Sequence, residues 1–109
     1  MLEVDLEFKK GFLFIRLSGE LTKKTLFCMN KEVTELIHDN KIRNVVFNIN
    51  SLKKIDTKGI EALYENYLFC QKISGKAFLC SIPSKVYKKI QKYHHINPLP
   101  NEISAFAYL

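Results

Sequence analysis

Hydrophobic and polar residues alternate at the start of the chain in the pattern of two strands. Residues 2–9 (LEVDLEFK) alternate with a period of two, and residues 11–18 (GFLFIRLS) form a second, more apolar run. Alternation with a period of two is typical of a strand that has one buried face. Lys10 and Gly11 lie between the runs and indicate a turn. The pattern therefore predicts two antiparallel strands.

Three later segments repeat apolar residues at the spacing of an amphipathic helix. The first spans residues 22–38, the second spans residues 57–73, and the third begins at Pro83-Ser84, because proline is favoured in a first turn. The residues predicted to be buried are Leu26, Met29, Val33, Leu36 and Ile37 in the first helix, Ile60, Leu63, Tyr64, Tyr67 and Leu68 in the second, and Val86, Tyr87, Ile90 and Tyr93 in the third.

Two short apolar runs between these helices predict further strands. Residues 44–49 are β-branched and nearly uninterrupted, which is typical of a central strand covered on both faces. Residues 51–55 are predicted to connect this strand to the second helix, and residues 76–82 are predicted to form the last strand. Residues 96–100 contain two prolines that exclude a regular helix, and Asn101-Glu102 is predicted to cap a short final helix that runs through Ala107.

The order of these elements, β-β-α-β-α-β-α-α, indicates an α/β fold. Strands that alternate with helices place parallel strands side by side, with helices packed on a face. We expect a mixed β-sheet of four to five strands with about four helices packed on it, in a single domain over residues 1–109. The N-terminus lacks the features of a signal peptide, and no run reaches the roughly 20 apolar residues of a membrane helix. A cytoplasmic protein without membrane insertion is therefore expected.

The net charge of +6 raises the question of nucleic-acid binding, because basic residues neutralise phosphates. Of the 17 basic residues only Arg16 and Arg43 are arginines, and the lysines are scattered in short pairs. No basic and aromatic platform of the kind that stacks bases accompanies them. We therefore expect no nucleic-acid partner, and an acidic protein partner suits the charge better.

The cysteines and histidines do not have the spacing of metal ligands. Cys28, Cys70 and Cys80 each lie in an apolar run, where a free cysteine usually packs as a small hydrophobic residue. His94 and His95 are adjacent but have no third ligand nearby, whereas zinc sites use three or four ligands. No metal site and no cofactor are therefore expected.

The segment Ile55-Asp56-Thr57-Lys58-Gly59 places an acid and a hydroxyl where a predicted helix begins. In this position Asp56 accepts hydrogen bonds from first-turn amides, and Thr57 presents its hydroxyl at the positive end of the helix dipole. Gly59 has no side chain and lets another surface approach the backbone closely. An ordinary helix cap without a further role explains the same residues, and their spacing alone does not decide between the two interpretations.

At these residues the chain resembles the STAS domain family, and within it the bacterial anti-sigma-factor antagonists. The signature of that family is an apolar residue, Asp, Ser or Thr, a small residue and Gly at the start of the second helix. Here it corresponds to residues 55–59. The resemblance extends to residues 13–21 (LFIRLSGEL), 42–49 (IRNVVFNI) and 75–90 (GKAFLCSIPSKVYKKI), in the same order.

The resemblance implies a binding module that is controlled by phosphorylation. In the family, the residue after the Asp is phosphorylated by an anti-sigma factor that is also a serine/threonine kinase, and a metal-dependent phosphatase reverses the reaction. The corresponding acceptor here is Thr57. The unmodified antagonist sequesters the anti-sigma factor and so frees the sigma factor. The partner-binding residues that the resemblance implies are Thr22, Asn48, Asp56, Lys58 and Gly59.

Two of these positions depart from the common pattern of the family. Lys58 stands where a small residue is usual, and it either pairs with a phosphate on Thr57 or hinders entry into a kinase site. Thr22 stands where an acidic residue often follows the Gly-Glu-Leu turn. Asn48, by contrast, fits the Asn or Asp that is common at the end of the central strand.

Two other interpretations remain open at this point. In the first, the chain has the same fold but a different partner, as in a stressosome component or a STAS subunit that binds the ATPase of a lipid ABC transporter. The other is a small enzyme, which needs a base near a nucleophile. The sequence places neither His38 nor the His94-His95 pair near Thr57, so we expect no enzymatic activity.

Overall fold

The structure, a computed structural model, describes residues 1–92, 96 and 98–108. In this part of the chain five strands form one sheet in the order β1-β2-β3-β4-β5. The strands are β1 (Leu2–Lys9), β2 (Phe12–Leu21), β3 (Asn44–Ile55), β4 (Lys76–Cys80) and β5 (Pro98–Leu99). β1 pairs with β2 antiparallel, and each later neighbouring pair is parallel. The predicted mixed sheet, with its central third strand, is confirmed.

The predicted helices are present, although the first one is divided. Its parts are a 3-10 turn (Lys23–Thr25), α1 (Leu26–Met29), a π turn (Asn30–Thr34) and α2 (Glu35–Asp39). The helix after β3 is α3 (Thr57–Lys72), and the helix after β4 is α4 (Ser84–Ile90). A C-terminal 3-10 helix (Ile103–Tyr108) is the predicted final helix, and Asn101 Oδ1 accepts a 3.0 Å hydrogen bond from the Ser104 amide at its start.

The π turn keeps the buried residues of the first helical segment in line. Met29, Val33 and Ile37 are spaced four residues apart, and all three are fully buried in the same cluster. In an α-helix with 3.6 residues per turn, residues at this spacing drift around the helix axis. The extra residue of a π turn reduces that drift. The three side chains therefore pack on the same face of the sheet.

The sheet buries side chains on both of its faces, because successive residues of a strand point to opposite sides. The larger cluster lies between the sheet and helices α1 to α4, and its strand residues include Leu13, Ile15, Val45 and Phe47. The second cluster lies on the opposite face and contains Phe12, Phe14, Val46, Phe78, Cys80 and Ala105. Since Ala105 belongs to the C-terminal 3-10 helix, that helix covers the face that the other helices leave free.

The central strand β3 is longer than the sequence predicts. Residues 51–55 are not a connector, because they continue β3 and pair with β2, with Ser51 opposite Ser18 and Ile55 opposite Leu21. The pairing of β2 with β3 contains two register shifts. Such irregularities interrupt the alternation of buried and exposed residues, so the pattern of this segment does not resemble that of a strand.

Some residues that the sequence predicts to be buried are exposed. Leu68 of α3 is 43% exposed and Tyr87 of α4 is 42% exposed. Each helix packs on the sheet along one stripe of its surface, and these two side chains lie outside that stripe. Cys28 is only partly buried, whereas Cys70 and Cys80 are buried as expected.

The last predicted strand ends at Cys80 rather than at residue 82. The predictions for Tyr93, His94 and His95 fall outside the described residues.

Candidate functional site

Asp56 holds the loop between β3 and α3 in place. Its Oδ1 accepts a hydrogen bond from the Gly59 amide at 2.8 Å, and its Oδ2 accepts one from the Lys23 amide at 2.9 Å. The carboxylate therefore ties the first turn of α3 to the 3-10 turn that follows β2. Burial disfavours the charge, but hydrogen bonds from the backbone amides of Lys23, Gly59 and Lys58 outweigh it, and the pKa of Asp56 lies below its ordinary value.

Gly59 lies where the first turn of α3 touches the end of β2. A Cβ atom on Gly59 would lie 2.1 Å from the carbonyl oxygen of Leu21. The backbone amide of Asp56 donates to the same carbonyl oxygen at 3.3 Å. The surface that approaches Gly59 closely is therefore the chain's own β2, and Gly59 is buried beneath the loop.

Thr57 and Lys58 form the exposed side of the loop. Thr57 is the first residue of α3, and both side chains are exposed. The Lys58 ammonium lies 3.5 Å from Glu61 Oε1, one helical turn further along α3. An ion pair this exposed contributes little to stability. The Thr57 hydroxyl is therefore accessible at the amino end of a 16-residue helix.

A pocket of about 320 Å³ opens beside Thr57. The described residues that line it are Asp56, Thr57, Ile60, Lys89 and Lys92. The ammonium of Lys89 donates a 3.1 Å hydrogen bond to the carbonyl oxygen of Ile55, the last residue of β3. The fold therefore brings two lysines from α4 and the residues after it next to the loop.

Lys89 and Lys92 belong to no motif that is visible in the sequence. Their spacing of three residues places them on the same side of a helical segment, which is a signal that they act together. That signal does not show which part of the chain the two lysines face. Only the packing of α4 beside the start of α3 shows it.

Thr22 supports the loop from beneath. It is only 6% exposed, and its hydroxyl accepts a hydrogen bond from the Lys24 amide at 3.3 Å. The Thr22 amide in turn donates to Thr25 Oγ1 at 3.0 Å. This reciprocal cap orders the 3-10 turn whose Lys23 amide binds Asp56. Thr22 therefore helps to position the loop and does not line its exposed side.

Asn48 lies in a different cluster from Asp56. Its Nδ2 donates to Glu102 Oε2 at 2.8 Å, and its Oδ1 accepts from the Asn50 amide at 3.0 Å. In the sheet Asn48 lies opposite Arg16, whereas the end of β3 beside Asp56 lies opposite Leu21. Asn48 therefore shares no hydrogen-bond partner with Asp56 and belongs to a separate part of the surface.

Arg16 is the centre of the cluster around Asn48. Its guanidinium donates to Glu102 at 2.8 Å, to Asp5 at 2.9 Å and to Glu7 at 2.7 Å. Hydrogen bonds to Glu102, Asp5 and Glu7 raise the pKa of Arg16, and the bond from Arg16 lowers the pKa of Glu102. The network anchors the start of the C-terminal 3-10 helix to the sheet.

Across residues 1–92, 96 and 98–108, no group of three or more His, Cys, Asp or Glu residues is arranged to hold a metal ion. No helix in the same residues is long and apolar enough to cross a membrane. His38 stacks on Phe69, with 3.9 Å between the ring centroids.

Replacement of Asp56 by alanine is expected to lower the free energy of unfolding by about 2 kcal/mol at pH 7, since two backbone amides lose their acceptor. Because the pKa of Asp56 is lowered in the folded state, its contribution is fully present above the unfolded-state pKa of about 3.9 and is lost as the pH falls through the folded-state value. Urea unfolding at pH 7 and at pH 3 measures both effects. Asp39→Ala, at the exposed end of α2, is the control, and equal losses in the two variants would contradict the role of Asp56.

The fold and the loop together define a class of protein: a small α/β module that presents one hydroxyl residue on a capped helix start. The model of the STAS domain family matches residues 3–101, which is most of the chain. The chain belongs to the STAS domain family.

Similar proteins have been described by name and by structure. The anti-sigma F factor antagonist of Paenibacillus polymyxa is 23% identical over 111 residues, which cover 99% of this chain and 95% of that protein. The Bacillus protein SpoIIAA in its phosphorylated form has a TM-score of 0.76 at 16% identity, covering 98% of this chain and 100% of that one. An anti-sigma factor antagonist from Mycobacterium paratuberculosis has a TM-score of 0.85 at 13% identity, with coverages of 99% and 93%. The two structures show the same fold.

Proposed function

We propose that the protein is an anti-sigma-factor antagonist that sequesters an anti-sigma factor while Thr57 is unmodified and releases it when Thr57 carries a phosphate. The observation that carries this proposal is the exposure of Thr57 at a helix start that Asp56 holds by two hydrogen bonds. The similarity to an anti-sigma F factor antagonist of Paenibacillus polymyxa supports the antagonist role. The similarity to SpoIIAA, which has a phosphorylated form, supports control by phosphorylation. This role places the protein in the cytoplasm.

The proposed modification is a phosphoryl transfer from ATP. Thr57 Oγ1 forms a bond to the γ-phosphorus, the bond from that phosphorus to the ADP oxygen breaks, and the hydroxyl proton passes to a base on the kinase. The anti-sigma factor, as a serine/threonine kinase, supplies the ATP site. A metal-dependent phosphatase returns Thr57 to the hydroxyl form by hydrolysis.

The phosphate acts on binding through its charge. It adds about −1.5 to −2 elementary charges at pH 7 to a surface that carried a neutral hydroxyl. Bringing that charge into a protein interface requires its desolvation and exposes it to any acidic group of the partner. We therefore assign the loss of binding to the dianion and not to a change of fold.

The proposed contact surface centres on Thr57 and Lys58, which are the exposed residues of the loop. Asp56, Gly59 and Thr22 keep these two residues in position, whereas Asn48, which binds Glu102, lies apart from this surface. The lysines around the loop suit an acidic partner. Lys58 takes part in this surface from its position beside Glu61.

Replacement of Thr57 by alanine is expected to abolish phosphate incorporation and to leave partner binding largely intact. Alanine removes the acceptor oxygen and is compatible with the first turn of α3. The wild-type chain and the variant are incubated with candidate anti-sigma kinases and ATP, and mass spectrometry locates the modified residue. Ser51→Ala, which removes an exposed hydroxyl from β3, is the matched control and is expected to be phosphorylated normally. Modification at Ser51 or Ser81, with Thr57 untouched, would overturn the assignment.

A pull-down with the unmodified chain separates this role from its alternatives. Capture of an anti-sigma factor supports the proposal. Capture of the ATPase of a lipid transporter or of stressosome proteins would favour the same fold with another partner.

A further inference from the structure

The pocket beside Thr57 contains more positive charge than the helix cap requires. Lys89 and Lys92 line it together with the Thr57 side chain. The carboxylate of Asp56 already receives hydrogen bonds from two backbone amides, at 2.8 and 2.9 Å, so it has no need of either lysine. The capping of α3 therefore does not account for the two ammonium groups.

A phosphate on Thr57 would meet charges of both signs. The neighbouring carboxylate of Asp56, whose pKa is lowered, would repel it. Lys58 lies beside Glu61 and is partly neutralised by it. Asp56 is the one carboxylate among the described residues that line the pocket, and Lys89 and Lys92 are the cations there. The two lysines are therefore the groups that are placed to compensate a dianion.

The hydrogen bond of Lys89 in the unmodified chain favours such an exchange. Its ammonium donates to the neutral carbonyl oxygen of Ile55 at 3.1 Å, next in sequence to Asp56. A phosphate dianion adds a Coulomb attraction for the ammonium that a neutral carbonyl oxygen does not offer. A phosphate at the mouth of the pocket would thus attract the ammonium from Ile55. α4 already lies beside the loop, since Lys89 reaches the end of β3 from it.

We propose that Lys89 and Lys92 form a receiving site for the phosphate of phosphorylated Thr57. The ammonium groups turn onto the phosphate, which joins α4 to the start of α3. Phosphorylation then alters the surface in two ways: it adds a dianion, and it withdraws two lysines that are exposed to an acidic partner in the unmodified chain. The inference rests on the proposed function for the identity of the modified residue.

The test uses the full chain with phosphothreonine installed at position 57 by chemical synthesis and ligation, so that no kinase is needed. Titration by phosphorus NMR gives the second pKa of the phosphate. In the otherwise unchanged chain we expect it at least about half a unit below the ordinary value of about 6, because nearby cations favour the dianion. The double variant Lys89→Met and Lys92→Met is expected to raise it back to the ordinary value.

A matched control separates the effect of direct contact between the lysines and the phosphate from the effect of net charge on the phosphate pKa. Lys85→Met with Lys88→Met removes the same net charge from α4, but these exposed residues are not among those that line the pocket. We expect this control to keep the lowered pKa. Lys89→Arg with Lys92→Arg keeps both cations and is also expected to keep it. Circular dichroism establishes that each variant is folded before its titration.

Two results would overturn the receiving site. One is an ordinary pKa in the otherwise unchanged phosphorylated chain. The other is an equal rise in the two methionine double variants, which would assign the effect to net charge. The outcome is independent of the kinase assay. A lowered pKa that depends on Lys89 and Lys92 supports the receiving site even if no kinase modifies Thr57, and an ordinary pKa leaves the acceptor role of Thr57 to the kinase assay.

Discussion

Replacement of Gly59 by alanine is expected to lower the free energy of unfolding by about 2 kcal/mol, which is within the usual range for overpacking. The added Cβ would lie 2.1 Å from the Leu21 carbonyl oxygen and 2.9 Å from its carbon, and both are backbone atoms that no side-chain rotation can move. The first turn of α3 must therefore shift away from β2. The shift strains the hydrogen bonds of Asp56 to both segments, and it outweighs the gain of up to about 1 kcal/mol that alanine brings to a helix.

Chemical denaturation of the variant and the wild-type chain measures this loss. Lys58→Ala is the matched control, because it places alanine one position earlier in the same turn, where the side chain is exposed. We expect the control to change the free energy of unfolding by less than about 0.5 kcal/mol, as is usual for surface substitutions. If Gly59→Ala is as stable as the control, the close contact with β2 does not constrain the loop.

Replacement of Thr57 by glutamate is expected to weaken binding to the anti-sigma factor by at least about tenfold, which corresponds to about 1.4 kcal/mol. Glutamate places a carboxylate where the proposed interface accommodates a neutral hydroxyl. The reduction is expected to be smaller than that caused by a phosphate, because glutamate carries one negative charge and the phosphate carries up to two.

Isothermal titration with the anti-sigma factor that the wild-type chain captures measures this difference. Thr57→Gln is the control for size, since glutamine has the shape of glutamate without its charge. We expect the Thr57→Gln variant to bind more tightly than the Thr57→Glu variant. The difference in affinity is expected to be larger at low salt, where charges are less screened. Equal affinities of the two variants would show that bulk, and not charge, disrupts the interface.

The elements of the fold followed from local patterns where those patterns were regular. The apolar spacing over residues 57–73 predicted α3, which spans Thr57–Lys72. The pattern failed over residues 51–55, where register shifts in the pairing with β2 interrupt the alternation. It also gave no sign of the π turn at Asn30–Thr34. Both features depend on how an element packs against the sheet, and a pattern read along one segment does not contain that information.

The candidate site divides in the same way. The sequence predicts the cap that Asp56 forms, because a cap involves residues that are close in the sequence. The sequence also predicts a close approach at Gly59, but it does not show that the approaching group is the Leu21 carbonyl. No local pattern predicts that Asn48 lies apart from the loop. No local pattern predicts that Lys89 lies beside the loop either.

By itself, the sequence determined the succession of strands and helices and the Asp-Thr pair that begins α3. These depend on periodicity and on hydrogen bonds that span a few residues. Only the tertiary structure decided that β2 closes over Gly59 and that two lysines of a later segment line the pocket beside Thr57. Those contacts join parts of the chain that are far apart in sequence, and they exist because burial of the common core brings β2, α3 and α4 together.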